Sequence, residues 1–233
     1  MPTGKFFVLD GVDGSGKSTT VDLLRDKLWE KYGGERTVIT RVPGGTGLGA
    51  ELRRIVKSQK FNISSLAERL IFAADEHQTV DEIIKPALEA GKVIVSSRGF
   101  FTDYAYGLAR GLPESEIEAI HNVNALPKAD CMFIFSLPFK TILERKKYRL
   151  STPCSKHDRF ETKPGSNCSN VMIDEDYLRK VHGFYELALS TYTVPAAVLA
   201  HKYAHKVTRV DATQEPKAVA AELFETIVET YEK

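Results

Sequence analysis

Short apolar runs alternate along the chain with longer segments whose apolar positions recur at helical spacing. That alternation predicts an α/β fold: a five-stranded parallel sheet with helices on both faces, since parallel strands need crossover connections. Strands are expected at residues 5–10, 36–41, 92–96, 129–136 and 206–211, the first of them buried on both faces. A helix is expected over residues 18–32, stopped by Gly33-Gly34. Ser65-Leu66-Ala67-Glu68 reads as a capping box that opens a long helix. Leu70, Phe72, Ala73, Val80, Ile84 and Leu88 supply its apolar side, and Gly91 stops it. Further helical patterns cover residues 175–199 and 216–231.

One stretch breaks the pattern. Residues 151–170 are rich in Ser, Pro, Gly, Lys and Cys and carry no apolar period, so they read as a mobile loop. The basic run Arg145-Lys146-Lys147-Tyr148-Arg149 precedes it. The organisation expected is one domain over residues 1–233, with a lid and inserted loop at about 145–172.

Composition narrows the classes. At 233 residues, 42% hydrophobic and 27% charged, the balance is that of an ordinary globular domain. With 32 basic against 31 acidic residues the net charge is +1, without the surplus that a nucleic-acid polymer would demand. Three cysteines are too few for a disulfide scaffold, and no apolar run is long enough for a signal h-region or a membrane span. The expectation is a reduced, cytoplasmic protein whose partners are small molecules.

Gly11-Val12-Asp13-Gly14-Ser15-Gly16-Lys17-Ser18 matches G-x-x-x-x-G-K-[ST] between an apolar strand and an amphipathic helix. Its glycines let backbone N–H groups turn toward phosphate oxygens. Lys17 would reach the β- and γ-phosphates and the Ser18 hydroxyl would hold Mg²⁺, at the positive end of a helix dipole. The Asn-Lys-x-Asp motif of guanine-nucleotide switches is missing, which disfavours a GTPase.

Around this loop the chain resembles thymidylate kinases. Residues 10–19, Thr40-Arg41-Val42-Pro43-Gly44-Gly45-Thr46, Ile84-Lys85-Pro86-Ala87-Leu88, Arg98, Asp158-Arg159-Phe160-Glu161 and Asp211-Ala212-Thr213 carry the likeness in order. The resemblance implies transfer of a phosphoryl group from ATP, with Mg²⁺, to a deoxynucleoside monophosphate. It places ATP at Asp13, Gly14, Ser15, Gly16, Lys17, Ser18 and Thr19, with Asp211, Ala212 and Thr213 beside the adenine. Arg41, Arg53 and Arg98 would hold the acceptor phosphate beside Pro43, and Asp10 would assist at the metal or the sugar. Phe72 would stack on the base, with Thr102 close by and Tyr106 against the deoxyribose. Lys17, Arg98, Arg145, Lys147 and Arg149 would stabilise the transferring charge, since Gly14 leaves the loop without an arginine. A homodimer is implied as well.

The chain departs from the family pattern in three places. Ser97 stands where an aspartate usually precedes the arginine, which removes a charge near Mg²⁺. Glu76 and Asp103 stand where the family reads thymine with an arginine and an amide, and two acceptors suit a base edge rich in donors. The substrate expected is therefore dTMP or a related 5-substituted deoxypyrimidine monophosphate. The alternatives are an amino-bearing base (a dCMP derivative or dGMP) and a nucleotide-binding protein without turnover. Cys154, His157 and Cys168 in the enlarged loop are spaced irregularly and read as loop residues rather than zinc ligands. His121, His182, His201 and His205 read as surface or helix residues.

Overall fold

The computed structural model describes residues 3–58, 60–121, 126–151, 173–190 and 195–233. Five strands, β1 (Lys5–Asp10), β2 (Thr37–Arg41), β3 (Val93–Ser97), β4 (Ala129–Ser136) and β5 (Ala204–Asp211), form one sheet in the order β2-β3-β1-β4-β5. Every pair is parallel. The register sets Leu9 and Arg41 beside Ser97, Asp10 beside Ile134, and Ser136 beside Asp211. Asp10, Arg41, Ser97, Ser136 and Asp211 thus share the carboxyl edge, where the chain order reverses on either side of β1. Open α/β sheets bind their ligands at that edge.

Between the strands run α1 (Lys17–Tyr32), α2 (Gly47–Lys57), α3 (Ser65–Thr79), α4 (Lys85–Glu89), α5 (Phe100–Ala109), α6 (Glu114–His121), α7 (Phe139–Ser151), α8 (Glu175–Ala188), α9 (Pro195–Tyr203) and α10 (Pro216–Tyr231). Helices α1 and α10 pack together on one face; α5, α8 and α9 form the other. β1 and β3 are buried nearly end to end, as the covered strands of a parallel sheet must be. Phe7, Leu9, Val93, Ile94, Val95 and Ile134 are each fully buried there.

Two predicted helices change, at three points. The third helix starts one residue earlier, because Ser64 is the cap and accepts from Ala67 N at 3.3 Å. Glu68 does not close a capping box; it is buried and takes Arg69 Nη2 at 2.6 Å instead. The long helix also opens into a π turn over Val80–Ile84 before α4. Pro86 explains this, since it lacks an N–H and its ring crowds the carbonyl one turn back. The single helix predicted over residues 175–199 is two, α8 and α9, and Pro195 opens the second. Residues 152–172 lie outside the described residues, and with them Cys154, His157, Asp158, Arg159, Phe160, Glu161, Cys168 and most of the expected lid.

Candidate active site

The turn from β1 to α1 has Gly14 at φ 89° and Gly16 at φ 97°, the left-handed region that glycine alone enters without strain. No side chain caps α1, so its first N–H groups remain open to an anion. Lys17 is buried and folds over the turn, donating from Nζ to Gly11 O at 2.6 Å, Val12 O at 2.9 Å and Ser15 Oγ at 3.0 Å. Burial and the nearby Arg98 charge lower its pKa to about 7, against the opposing pull of Asp13. Bound phosphates would restore the proton.

Gly14, Ser15, Gly16 and Thr19 line a cavity that continues to Arg145, Ala212 and Val219. Arg145 Nη2 donates to Ala212 O at 3.1 Å, tying α7 to the end of β5. Asp211 Oδ1 accepts from Thr213 N at 3.0 Å and from its hydroxyl at 2.6 Å, which closes the adjacent turn. From the basic run the structure brings Arg145 and Lys146 to the loop. Lys146 is 2% exposed and packs next to Gly14. Lys147 instead lies 3.4 Å from Glu175, and neither it nor the exposed Arg149 lines the cavity. The helix repeat turns consecutive residues to different faces, so charge in a run does not converge.

A second cavity, with about 70 Å³ open to the centre of a water molecule, lies on the other side of the loop, lined by Asp13, Pro43, Arg53, Phe72, Thr102 and Tyr106 among others. Arg98 lines this cavity and reaches the loop. It pairs with Asp13, donates to Thr102 Oγ1 at 3.2 Å and Gly11 O at 3.4 Å, and lies over the Tyr106 ring. Its φ of 77° is strained for a side-chain-bearing residue, and such strain persists where the surroundings impose it. Burial would raise the Asp13 carboxyl, but Arg98, Lys146 and Lys17 outweigh it and hold the group well below the usual carboxylate range. Arg53 Nη1 donates to Pro43 O at 3.0 Å, and Asp75 accepts from Gly44 N at 3.0 Å, which fixes the Pro43-Gly44 turn. Asp10 does not line this cavity. It is fully buried below, where one oxygen accepts from Gly11 N at 2.8 Å, from Tyr185 at 2.6 Å and from Thr102.

Arg41 lines a third cavity with Ser18, Thr40, Gly44 and Ser97 rather than the second. The Ser18 and Ser97 hydroxyls therefore face one space beside the loop. Mg²⁺ is held mainly by carboxylates, phosphate oxygens and waters, so two neutral hydroxyls would leave most of its ligands to the nucleotide and to water. Asp10 Oδ2, buried without a partner, is a further acceptor near the end of β1.

At the far end of the second cavity the structure corrects the expectation of two free acceptors. Asp103 has both oxygens engaged: Oδ1 pairs with Arg69 and Oδ2 with His121 Nε2 at 2.6 Å. Glu76 Oε2 lies 3.1 Å from His121 Nδ1, yet the pair is misaligned and neither atom completes a hydrogen bond. His121 is thus not a surface residue but a buried bridge between two carboxylates. Burial alone would lower its pKa; the Asp103 bond and the Glu76 contact raise it to about 9. A histidine raised in the fold stabilises fully below its unfolded pKa of about 6.5, and that contribution is lost as pH climbs through about 9. Unfolding free energy should therefore fall by up to ~3 kcal/mol between pH 6.5 and 9. In His121→Asn that slope should flatten, and an unchanged slope in denaturant titrations would remove the charged bridge.

Sequence reasoning missed Arg69, His121, Lys146 and Tyr185. Two of them left a signal: Lys146 lies in the basic run, and Arg69 is a cation three residues before Phe72 on one helix face, its guanidinium 4.5 Å from that ring centre.

A phosphate-binding loop on a parallel sheet, with a second arginine-walled cavity joined to it through Arg98, defines a P-loop kinase that serves a small phosphorylated acceptor. Known proteins narrow the class. The profile of the family described as thymidylate kinase matches residues 9–188. Thymidylate kinase of Halothermothrix orenii is 39% identical over 163 residues, covering 68% of this chain and 75% of that protein. That of Cupriavidus taiwanensis is 36% identical over 181 residues, covering 76% and 84%. The solved thymidylate kinase of Ehrlichia chaffeensis superposes with TM-score 0.67 at 24% identity over 97% of this chain and 99% of that one, a likeness of fold. The chain belongs to the thymidylate kinase family and is a nucleoside monophosphate kinase, a phosphotransferase.

Proposed function

We propose that this chain moves the γ-phosphoryl group of ATP to the 5′-phosphate of dTMP or a related 5-substituted deoxypyrimidine monophosphate. The observation that carries this reading is the continuity through Arg98. One side chain touches the loop at Gly11 and Asp13 and the second cavity at Thr102 and Tyr106. Two phosphorylated ligands on either side of it would meet at their phosphates, which is the positioning that transfer requires.

In this reading the first cavity takes ATP. Asp13 to Thr19 enclose the phosphates, Arg145 stands over them, and Ala212 borders the adenine between Asp211 and Thr213. The second takes the acceptor, with Arg53 and Arg98 at the phosphate, Phe72 under the base, and Thr102 and Tyr106 beside the sugar. An oxygen of the acceptor phosphate bonds to the γ-phosphorus while the bond to the β,γ-bridging oxygen breaks, and ADP leaves. The attacking oxygen is already ionised, so no general base is needed. Lys17, Arg98 and Arg145 spread the charge of the loose transition state. Lys146 is a better candidate for that role than Lys147 or Arg149, because it packs against the loop. Mg²⁺ would be held by Ser18 and Ser97 and would neutralise charge on the β- and γ-oxygens.

A homodimer in the cytoplasm fits the same reading. Leu48, Phe61, Leu66 and Leu70 are large, apolar and exposed on and beside the packed pair α2 and α3, as a surface that meets another subunit would be. No described helix is long and apolar enough to cross a membrane.

Acceptor dependence of ADP release tests the reading. With MgATP alone release should be negligible, and added dTMP should raise it at least about a hundredfold, as an acceptor-assembled site requires. Equal release without any acceptor would contradict transfer to a monophosphate.

A further inference from the structure

Glu76 stands between two cavities. It lines the acceptor cavity, and it also lines a smaller one behind whose other walls include Val80, Ile84, Phe100, Met132 and Tyr203. The smaller cavity has about 30 Å³ open to the centre of a water molecule, room for one or two small groups. Gly99 borders both spaces, as Val42 and Arg98 do, and is the one of these that adds no side chain to the boundary.

Glu76 is 5% exposed, and among the described residues it accepts no hydrogen bond. His121 lies against Oε2, which leaves Oε1 on the Gly99 side. Asp103, by contrast, already has a donor on each oxygen. Glu76 Oε1 is therefore an acceptor with no protein donor among the described residues, open on the cavity side to a donor from a ligand or from water.

Ring geometry says which part of the ligand that is. With the phosphate at Arg53 and Arg98, the sugar-bearing N1 lies at the near end, and ring positions 3, 4 and 5 lie farthest from it. Thymine presents O4, the C5 methyl and N3–H there, and only N3–H donates. It lies on the opposite side of O4 from the C5 substituent, so an arm at C5 that enters the smaller cavity carries no donor in thymine. A hydroxymethyl group at C5 supplies an O–H on a one-carbon arm that suits the smaller cavity.

Resting on the reading that the second cavity holds a deoxypyrimidine monophosphate, we propose that Glu76 selects a base whose C5 substituent carries a hydroxyl. The arm enters the smaller cavity and donates to Glu76 Oε1. Gly99 keeps the passage open.

The test is kcat/KM from coupled ADP release with 5-hydroxymethyl-dUMP, dTMP, dUMP, dCMP and dGMP, on the wild-type chain, Glu76→Gln and Gly99→Ala. The wild type should prefer 5-hydroxymethyl-dUMP to dTMP by at least about tenfold, and Glu76→Gln should shrink the ratio to about twofold, as a neutral amide is a weaker acceptor. Gly99→Ala covers the case in which Glu76→Gln does not fold. Its new Cβ would lie 3.4 Å from Val8 Cγ1 and 4.0 Å from Glu76 Oε1, ordinary contacts that narrow the passage. It should raise KM for the hydroxymethyl substrate more than for dUMP. Wild-type preference for dTMP, dCMP or dGMP would overturn the inference and leave the kinase reading intact, as would a ratio unmoved in both variants. No turnover with any monophosphate would overturn both.

Discussion

Replacing Lys17 with methionine should lower kcat about a thousandfold while the chain stays folded. The size follows from removing one preorganised cation from a site where charge develops, worth ~10²–10³ for a single donor and more for a full charge. Stability should hardly change. Burial and Arg98 already depress the Lys17 pKa to about 7, so the ammonium is costly to retain in the ligand-free fold. Its three bonds run to the loop's own Gly11, Val12 and Ser15 and would be released on ligand entry. The thermal midpoint should stay within a few degrees of wild type. A collapse of the fold would make the lost activity uninformative, and near-normal turnover in a folded variant would contradict the assigned role.

Arg98→Ala should do damage of two kinds. The kcat/KM for the monophosphate should drop about a thousandfold or more, because one guanidinium faces both the loop and the acceptor cavity. The KM for ATP should move far less, since the loop backbone and Lys17 remain. Stability should fall by ~2 kcal/mol, because Asp13 loses the partner that offsets its burial. That figure is below the cost of breaking a fully buried pair, as the Asp13 side chain is 27% exposed. Relief of the strained φ at position 98 is too small to reverse the sign for alanine, which is itself disfavoured there. Arg98→Lys should retain part of the charge effect and lose the forked contact to Asp13 and Thr102. Activity of Arg98→Lys equal to Arg98→Ala would show that geometry rather than charge is what the residue contributes.

Local chemistry made the frame legible. β1 and β4 fall where their apolar runs lie, α10 falls between Pro216 and Tyr231, and the loop between β1 and α1 follows from its glycines. What stayed hidden depends on distance along the chain. Asp10 meets Tyr185 across 175 positions, Arg69 meets Asp103 across 34, and His121 meets Asp103 across 18. No period or motif links such pairs, since only the packing of α3, α6 and α8 around α5, and of α8 on the sheet, brings them together. Reading Glu76 and Asp103 as equivalent acceptors failed for this reason: residue type gave the charge but not the neighbours that consume it. The Ser64 cap and the π turn before Pro86 were missed more narrowly, by one residue and one turn.

The central claim, that two phosphorylated ligands meet across Arg98, is tested most directly by following label from [γ-³²P]ATP in the presence of Mg²⁺ and either dTMP or 5-hydroxymethyl-dUMP. The prediction is one labelled phosphate in the deoxynucleoside diphosphate for each ADP formed, with no labelled inorganic phosphate and no transfer in Lys17→Met. Label that appears as inorganic phosphate, or a diphosphate that stays unlabelled while ADP accumulates, would contradict direct transfer.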